Sequence, residues 1–229
     1  MKKLSVTMTG KEKLLGWIYY PIQLLVLPTA ITIVNLYIGS PLSELWTNFL
    51  YFAINFLCVI AIFHRFLLGN SKNALHAILR CLRSAGVGFV AYWFLNYVVA
   101  IIVTVADPEF FNVNDAYISE IAQGNFAWMA VGTVLLVPLA EEVLYRGLIF
   151  GQLYNRSRVA AYLVSILVFA AVHVVGYIGL YAPTQLLLCV LQYLPAGLCL
   201  GWAYVNADSI WAPILIHMTI NLLGVLAMR

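Results

Sequence analysis

The sequence predicts an all-α protein that crosses a membrane as a polytopic bundle of about seven helices. Of its 229 residues, 64% are hydrophobic and 9% are charged, whereas soluble proteins carry about 25% charged residues. The mean hydropathy is +0.95. Apolar stretches long enough to cross a bilayer recur along the chain between short polar segments. These observations exclude an ordinary soluble domain.

The first predicted span runs from about Leu14 to Ile38, after the polar segment Met1 to Lys13. A signal peptide is the competing interpretation, but its apolar region covers about 7–15 residues and ends at a small-residue cleavage site. This stretch is longer and lacks a convincing site, so we expect a retained helix. Gly39-Ser40-Pro41 then breaks the chain, and a second span is predicted from about Leu45 to Phe63.

The segment from His64 to Ser84 is basic and amphipathic. Its apolar residues recur at helical spacing, and they are Leu75, Ile78, Leu79 and Leu82. Other positions are basic, and they include Lys72, His76, Arg80 and Arg83. The pattern predicts either an interfacial helix on an anionic membrane surface or a solvated connector. We therefore do not expect His64 or His76 to be catalytic.

The third predicted span covers about Gly86 to Ala106, and the loop from Asp107 to Asn125 holds four acidic residues and no Lys or Arg. A fourth span begins near Phe126. The last three spans are predicted over about Val159 to Ile178, Gln185 to Val205 and Ile210 to Met228. Residues 126–229 would then form a four-span core, and residues 1–125 a three-span region with an amphipathic connector, within one membrane domain.

Basic residues are concentrated on one side of this predicted bundle. If the chain has seven spans and a cytoplasmic N-terminus, Arg229 is the one lysine or arginine of the predicted loops and termini that falls on the external side of the membrane. Those on the cytoplasmic side are Lys2, Lys3, Lys11, Lys13, Arg65, Lys72, Arg80, Arg83, Arg156 and Arg158. The positive-inside rule therefore predicts a multi-pass protein of the cell membrane with a cytoplasmic N-terminus and an external C-terminus.

Charged residues also lie inside the fourth predicted span, in the stretch Ala140-Glu141-Glu142-Val143-Leu144-Tyr145-Arg146-Gly147. A charge at mid-membrane costs at least about 2.5 kcal/mol, so such residues indicate a functional site. Glu141 lies roughly 15 Å from the cytoplasmic end of its span, at 1.5 Å per residue. His173 in the fifth span and His217 and Asn221 in the seventh lie at similar depth. Polar groups from three helices at one depth are expected to meet.

Helical spacing separates the two acids. Glu142 and Arg146 are four residues apart and can form an ion pair on one face. Glu141 is turned by about 100° from Glu142 and is left to face a cavity.

The other motif residues also occur in pairs four residues apart, because Phe169 shares a face with His173 and His217 shares one with Asn221. A carboxylate and an imidazole around one water form a general-base pair, while a second histidine and an amide offer oxyanion donors. This set suits hydrolysis of an amide bond with water as the nucleophile. Phe169 is expected to pack around the site.

Other protease chemistries fit the sequence less well. It has no serine element of the GxSx kind in a span, no HExxH motif and no pair of intramembrane aspartates. Glu141, His173 and His217 form a reasonable zinc ligand set, which ranks second because zinc would consume the base. The four cysteines form no CxxC pair and are predicted to be buried small hydrophobes. We expect no cofactor, with zinc as the alternative.

Three motifs follow one another on successive hydrophobic segments, namely Glu141-Glu142-x-x-x-Arg146, Phe169-x-x-x-His173 and His217-x-x-x-Asn221. With them, the chain from about residue 126 to 229 resembles the CPBP (Abi) family of intramembrane endopeptidases, which includes CAAX prenyl proteases and bacteriocin-processing or self-immunity proteins. The resemblance implies a glutamate-dependent protease in which Glu141 and His173 activate water. It also implies that His217 and Asn221 stabilise the oxyanion and that Arg146 orders the acidic motif.

The expected partners are membrane lipid and a membrane-associated peptide or protein substrate, with no nucleic acid. Bacteriocin or pheromone leader removal, self-immunity and CAAX-type processing are the candidate settings. Two other functions remain open: a non-catalytic immunity or scaffold protein, and a transporter or proton relay using Glu141 and His173. The sequence lacks the matching Gly/Pro-broken helices that favour transporters.

Overall fold

The computed structural model describes residues 3–122 and 125–227, which form a helical bundle and confirm the predicted fold class. Its helices, in chain order, are α1 (Gly10–Tyr37), α2 (Glu44–Ile62), α3 (His64–His76), α4 (Ile78–Ala106), α5 (Val113–Ala122), α6 (Phe126–Tyr154), α7 (Arg158–Val172), α8 (Pro183–Ala207) and α9 (Trp211–Ala227). Lys2, Met228 and Arg229, which enter the predicted topology, lie outside the described residues.

Five of these helices are long and apolar enough to cross a membrane: α1, α2, α4, α6 and α8. The fifth and seventh predicted spans correspond to α7 and α9, which are apolar helices of 15 and 17 residues. All seven predicted segments are thus helical, and the chain is a membrane protein.

The fifth predicted span, about Val159 to Ile178, is wrong at its C-terminal end. α7 stops at Val172, and a 3₁₀ turn follows at Val175–Tyr177. Gly179 then adopts a φ of +87°, a conformation that suits glycine, before α8 starts. Apolar composition alone did not reveal this break. Its consequence is that His173 caps the end of α7.

The predicted amphipathic helix from His64 to Ser84 is two helices. The break falls at Ala77, whose φ of −130° and ψ of 43° are not helical. The predicted apolar stripe is exposed, with Leu75 at 71% and Leu79 at 79%. α3 instead buries Phe66, Leu67, Asn70 and Ala74. The exposed stripe is compatible with the predicted interfacial position, while Phe66 and Leu67 of α3 pack on the bundle.

Two helices contain a wider π-helical turn just before a proline. Ile22–Val26 precedes Pro28 in α1, and Gly132–Leu136 precedes Pro138 in α6. Proline donates no backbone hydrogen bond, and its ring crowds the carbonyl of the preceding turn, so a wider turn fits there. A third π-helical stretch, Val143–Phe150, follows the two glutamates.

α6 is the central helix of the bundle. In its apolar 18-residue stretch, 56% of the residues are buried, compared with 6% in the corresponding stretch of α4. Val59 of α2 and Phe63, which directly follows α2, share one hydrophobic cluster with Leu144 and Leu148 of α6. The N-terminal helices therefore pack directly on the helix with the charged motif. The bundle has two ends. The end that contains α3 and the loop between α8 and α9 is called the basic end. The opposite end, with α5, is the acidic end.

Candidate active site

Glu142 and Arg146 form an ion pair in the centre of the protein. Arg146 Nη1 donates to Glu142 Oε1 at 2.9 Å, and both side chains are 0% exposed. The same carboxylate oxygen lies 2.8 Å from Nδ1 of His217 on α9. Glu142 therefore joins α6 to α9 and orients the imidazole, in addition to its predicted contact with Arg146.

Arg146 makes two further contacts that hold its guanidinium. Nη2 donates to the carbonyl of Gly197 on α8 at 3.4 Å. The guanidinium carbon lies 4.4 Å from the centroid of the Phe169 ring on α7, within the range of a cation–π interaction. Arg146 thus links three helices, and Phe169 packs against the charge that holds the acidic motif.

Glu141 differs from Glu142 because its side chain is 19% exposed and lines a cavity. Its Oε2 lies 4.0 Å from Nε2 of His173 and 4.0 Å from Nε2 of His217. A separation of 4.0 Å is too long for a direct hydrogen bond, but a bridging water spans such a gap. The carboxylate and the two imidazoles therefore surround a site suited to one water molecule.

The position of His173 is set by its own helix end and by α8. Nδ1 lies 2.7 Å from the carbonyl oxygen of Phe169, one turn earlier. The imidazole stacks on the ring of Tyr193, with centroids 4.3 Å apart. A carbonyl oxygen can only accept a hydrogen bond, so Nδ1 of His173 carries the proton. Nε2 is the nitrogen that faces Glu141.

Asn221 lines the same cavity as Glu141, His173 and His217, so the four predicted catalytic residues meet. Its Nδ2 donates to the carbonyl of Thr133 at 2.8 Å. Thr133 belongs to the π-helical turn Gly132–Leu136. This contact ties α9 to α6, and one N–H of the Asn221 amide remains for a second acceptor.

The cavity has a volume of about 570 Å³, which is within the range of small-molecule sites. It extends from Glu141 toward the acidic end, where Asn112, Asp115 and Ala227 line it. Asn112 Nδ2 donates to Gln192 Oε1 at 2.9 Å and thereby attaches the start of α5 to α8. The cavity therefore extends from the depth of Glu141 to the acidic end of the bundle.

Asp115 lies on α5, outside the membrane spans. Asp115 is exposed, but the protein atoms around it remove part of its hydration and so raise its pKa above the usual 3.8, while the nearby His173 and a hydrogen bond from Asn114 oppose the shift. Contact with solvent keeps the effect on stability small. This carboxyl group is the acidic side chain that lines the mouth of the cavity.

Sequence patterns missed several polar residues of the cavity because these residues lie on the N-terminal helices. Gln23 comes from α1, Tyr51 and Asn55 come from α2, and Asn96 comes from α4. Tyr193, which stacks on His173, was also missed. A polar residue at mid-span was the available signal for Gln23 and Asn55, since such residues are rare in lipid.

Within residues 3–122 and 125–227, no group of three His, Cys, Asp or Glu side chains is arranged to hold a metal ion. Zinc ligands lie about 2.0–2.2 Å from the metal, which places them roughly 3.4 Å from one another. In the candidate site, Glu141 Oε2 is 4.0 Å from each histidine nitrogen. The four cysteines are free, and three of them are buried.

Comparison with known proteins shows a similarity that is confined to part of the chain. A family model described as type II CAAX prenyl endopeptidase Rce1-like matches residues 123–223, which include every residue of the three motifs. UPF0177 protein YxdF of Lactococcus lactis subsp. lactis (strain IL1403) is 31% identical over 90 residues, or 39% of this chain and 44% of that relative. The match thus spans less than half of the relative's length. No solved structure matches the chain significantly.

Proposed function

We propose that this chain, whose residues 123–223 match the family model of Rce1-like type II CAAX prenyl endopeptidases, is a glutamate-dependent intramembrane endopeptidase. The observation that carries the proposal is the convergence of three groups on one water-sized gap. Glu141 Oε2 lies 4.0 Å from Nε2 of both His173 and His217, at the end of a cavity large enough for a peptide segment.

In the proposed reaction, the Glu141 carboxylate takes a proton from a water molecule while the water oxygen bonds to the carbonyl carbon of the substrate. His173 orients this water through Nε2. The tetrahedral intermediate then collapses, the C–N bond breaks, and Glu141 returns the proton to the leaving nitrogen. The products are a carboxylic acid and an amine, so no other reactant is consumed.

His217 and Asn221 are proposed to stabilise the oxyanion that forms on the substrate oxygen. His217 donates from Nδ1–H to Glu142, and its Nε2 lies toward Glu141 and the cavity. Nε2 can donate to the oxyanion only when both ring nitrogens carry protons, a form that the negative Glu142 carboxylate balances. The remaining amide proton of Asn221 adds a second donor. Glu142 and Arg146 act through these groups, because neither is exposed to the cavity.

The substrate is proposed to be a membrane-associated peptide. The distribution of basic residues favours a cytoplasmic position for the basic end, so the part of the cavity at the acidic end would face the outside of the cell. This arrangement favours a peptide that is presented from the external side, as in bacteriocin or pheromone maturation or self-immunity. A CAAX-type substrate in the cytoplasm would need a different route to Glu141.

The test compares peptides in membranes and medium of cells that express the wild-type chain, Glu141→Gln or Glu120→Gln. Glutamine keeps the shape of Glu141 but cannot accept the proton. Glu120 is exposed at the acidic end, so its variant controls for the loss of a carboxylate. We expect peptide fragments that depend on Glu141 and persist in the Glu120 variant. An unchanged peptide profile in the Glu141 variant would overturn the proposal and favour a non-catalytic immunity or scaffold role.

A further inference from the structure

Gln23 is a buried polar residue that the proposed mechanism does not use. It lies in the π-helical turn Ile22–Val26 of α1, is 3% exposed and lines the cavity that contains Glu141. Its Nε2 has no hydrogen-bond partner among the residues that the structure describes. Because a buried amide donor without an acceptor is unfavourable, this nitrogen calls for a ligand that supplies an acceptor.

Tyr51 on α2 determines which end of the amide is free. Its hydroxyl lies 2.9 Å from Gln23 Oε1 and 3.2 Å from the Gln23 carbonyl oxygen, and its single proton is donated to the nearer oxygen, Oε1, or shared with the carbonyl. With Oε1 engaged, the Nε2 group is the part of the side chain left for another molecule.

A reciprocal contact joins the same two helices. Tyr19 of α1 donates to Oδ1 of Asn55 on α2 at 2.8 Å, and Asn55 is 6% exposed and also lines the cavity. Tyr19 and Gln23 are four residues apart, as are Tyr51 and Asn55. Each helix therefore presents one tyrosine that binds an amide oxygen and one amide that lines the cavity.

We propose that Gln23 and Asn55 form a substrate-binding subsite that donates hydrogen bonds to main-chain carbonyl groups of the peptide. The inference rests on the proposed endopeptidase function and extends it to two helices outside the matched segment 123–223. Carbonyl groups within an α-helix are already bonded to backbone N–H groups four residues later. The subsite therefore selects a peptide that is extended or unwound at the cavity.

The experiment uses the full chain in lipid nanodiscs and a synthetic peptide that spans the cleavage site of a Glu141-dependent fragment. Gln23→Met removes the donor while nearly preserving the volume of the side chain. We expect KM to rise about 3- to 10-fold, the range of one neutral hydrogen bond, with kcat changed less than about twofold. The melting temperature without peptide should equal or exceed that of the wild type, because an unpartnered donor has been removed.

Gln152→Met is the matched control, because Gln152 Nε2 is also buried without a partner but does not line the cavity. Its KM should equal that of the wild type. Tyr51→Phe is a second variant. It removes the hydroxyl that holds the Gln23 amide but keeps Gln23 itself, so the amide can rotate. We expect KM to rise about 2- to 5-fold.

The outcomes separate this inference from the proposed function. An unchanged KM in both Gln23→Met and Tyr51→Phe, with Glu141→Gln inactive, overturns the subsite alone. The same follows if Gln23→Met melts below the wild type and its folded fraction cleaves normally, since Gln23 is then structural. If Glu141→Gln cleaves at the wild-type rate, or the wild type cleaves nothing, the proposed function fails and the subsite fails with it.

Discussion

Glu142 lies 2.8 Å from His217, with its Oε1 facing Nδ1 across the interface between α6 and α9. The second acid of the motif thus orients a histidine of the candidate active site, while the first acid faces the cavity. The two glutamates are neighbours in sequence, yet one is 19% exposed in its side chain and the other 0%. This difference in exposure predicts that substitutions at the two positions have different effects, one on stability and the other on catalysis.

Glu142→Gln is expected to destabilise the protein, whereas Glu141→Gln should not. Breaking a buried ion pair costs about 3–5 kcal/mol, because the remaining Arg146 charge is left without its partner. Among the described residues, Glu141 forms no ion pair with an arginine or lysine and faces His173 and His217, each at 4.0 Å. Its substitution should therefore affect catalysis alone, by about 10²–10⁴-fold. Thermal unfolding of both variants, with cleavage measured on the folded fraction, tests the distinction. Equal melting temperatures for the two variants would contradict it.

Asn221→Ala is expected to lower stability by about 1 kcal/mol, because the Thr133 carbonyl loses its side-chain donor. If the amide also binds the oxyanion, kcat should fall by more than KM rises. Thr219→Ala on the same helix, whose hydroxyl bonds only to the backbone carbonyl of Leu215, is a suitable control. A variant with reduced stability and an unchanged kcat would leave Asn221 with a structural role only.

Asp115 predicts a pH dependence of stability. Its pKa is raised in the folded protein, so the folded state holds the proton more tightly than the unfolded state does. The contribution of Asp115 is therefore fully present below its usual pKa of 3.8 and is lost as the pH rises through the higher folded pKa. Relative to Asp115→Asn, the wild type should melt at progressively lower temperature across this window. Parallel melting curves from pH 4 upward would refute the prediction.

The predicted orientation can be tested by introducing single cysteines at exposed positions of the two ends. Glu109→Cys lies at the acidic end and Lys72→Cys at the basic end. A membrane-impermeant maleimide added to intact cells should label the first variant and not the second, above the background of the unsubstituted chain. Labelling of Lys72→Cys alone would reverse the orientation and place the mouth of the cavity in the cytoplasm.

Metal removal should leave the reaction unaffected if water is activated by Glu141 and His173. Purified protein is expected to cleave its peptide at the same rate with and without a strong chelator, and metal analysis should find less than stoichiometric zinc. Loss of cleavage with chelator, followed by recovery on adding zinc, would support the alternative in which Glu141, His173 and His217 bind the metal.

Sequence patterns did not predict two helix boundaries, namely the C-terminal end of α7 and the break between α3 and α4. Apolar composition extended the fifth span to Ile178, although the helix ends at Val172. Hydropathy reports the cost of placing a side chain in lipid, and it does not report whether the backbone is helical. The apolar pattern also did not reveal the break at Ala77, which divides the predicted amphipathic helix. The exposed position of Leu75 is compatible with the predicted interfacial location.

Sequence alone determined the membrane location and the helical fold class, and it predicted the candidate site residues, because a charge in lipid is too costly to occur without a partner. Spacing also separated Glu141 from Glu142. Only the tertiary structure decided that Glu142 contacts His217 as well as Arg146, that Asn221 bonds to Thr133, and that Gln23 and Asn55 line the cavity. These contacts join residues far apart in the chain, and they depend on helix rotation and on π-helical turns that local patterns do not encode.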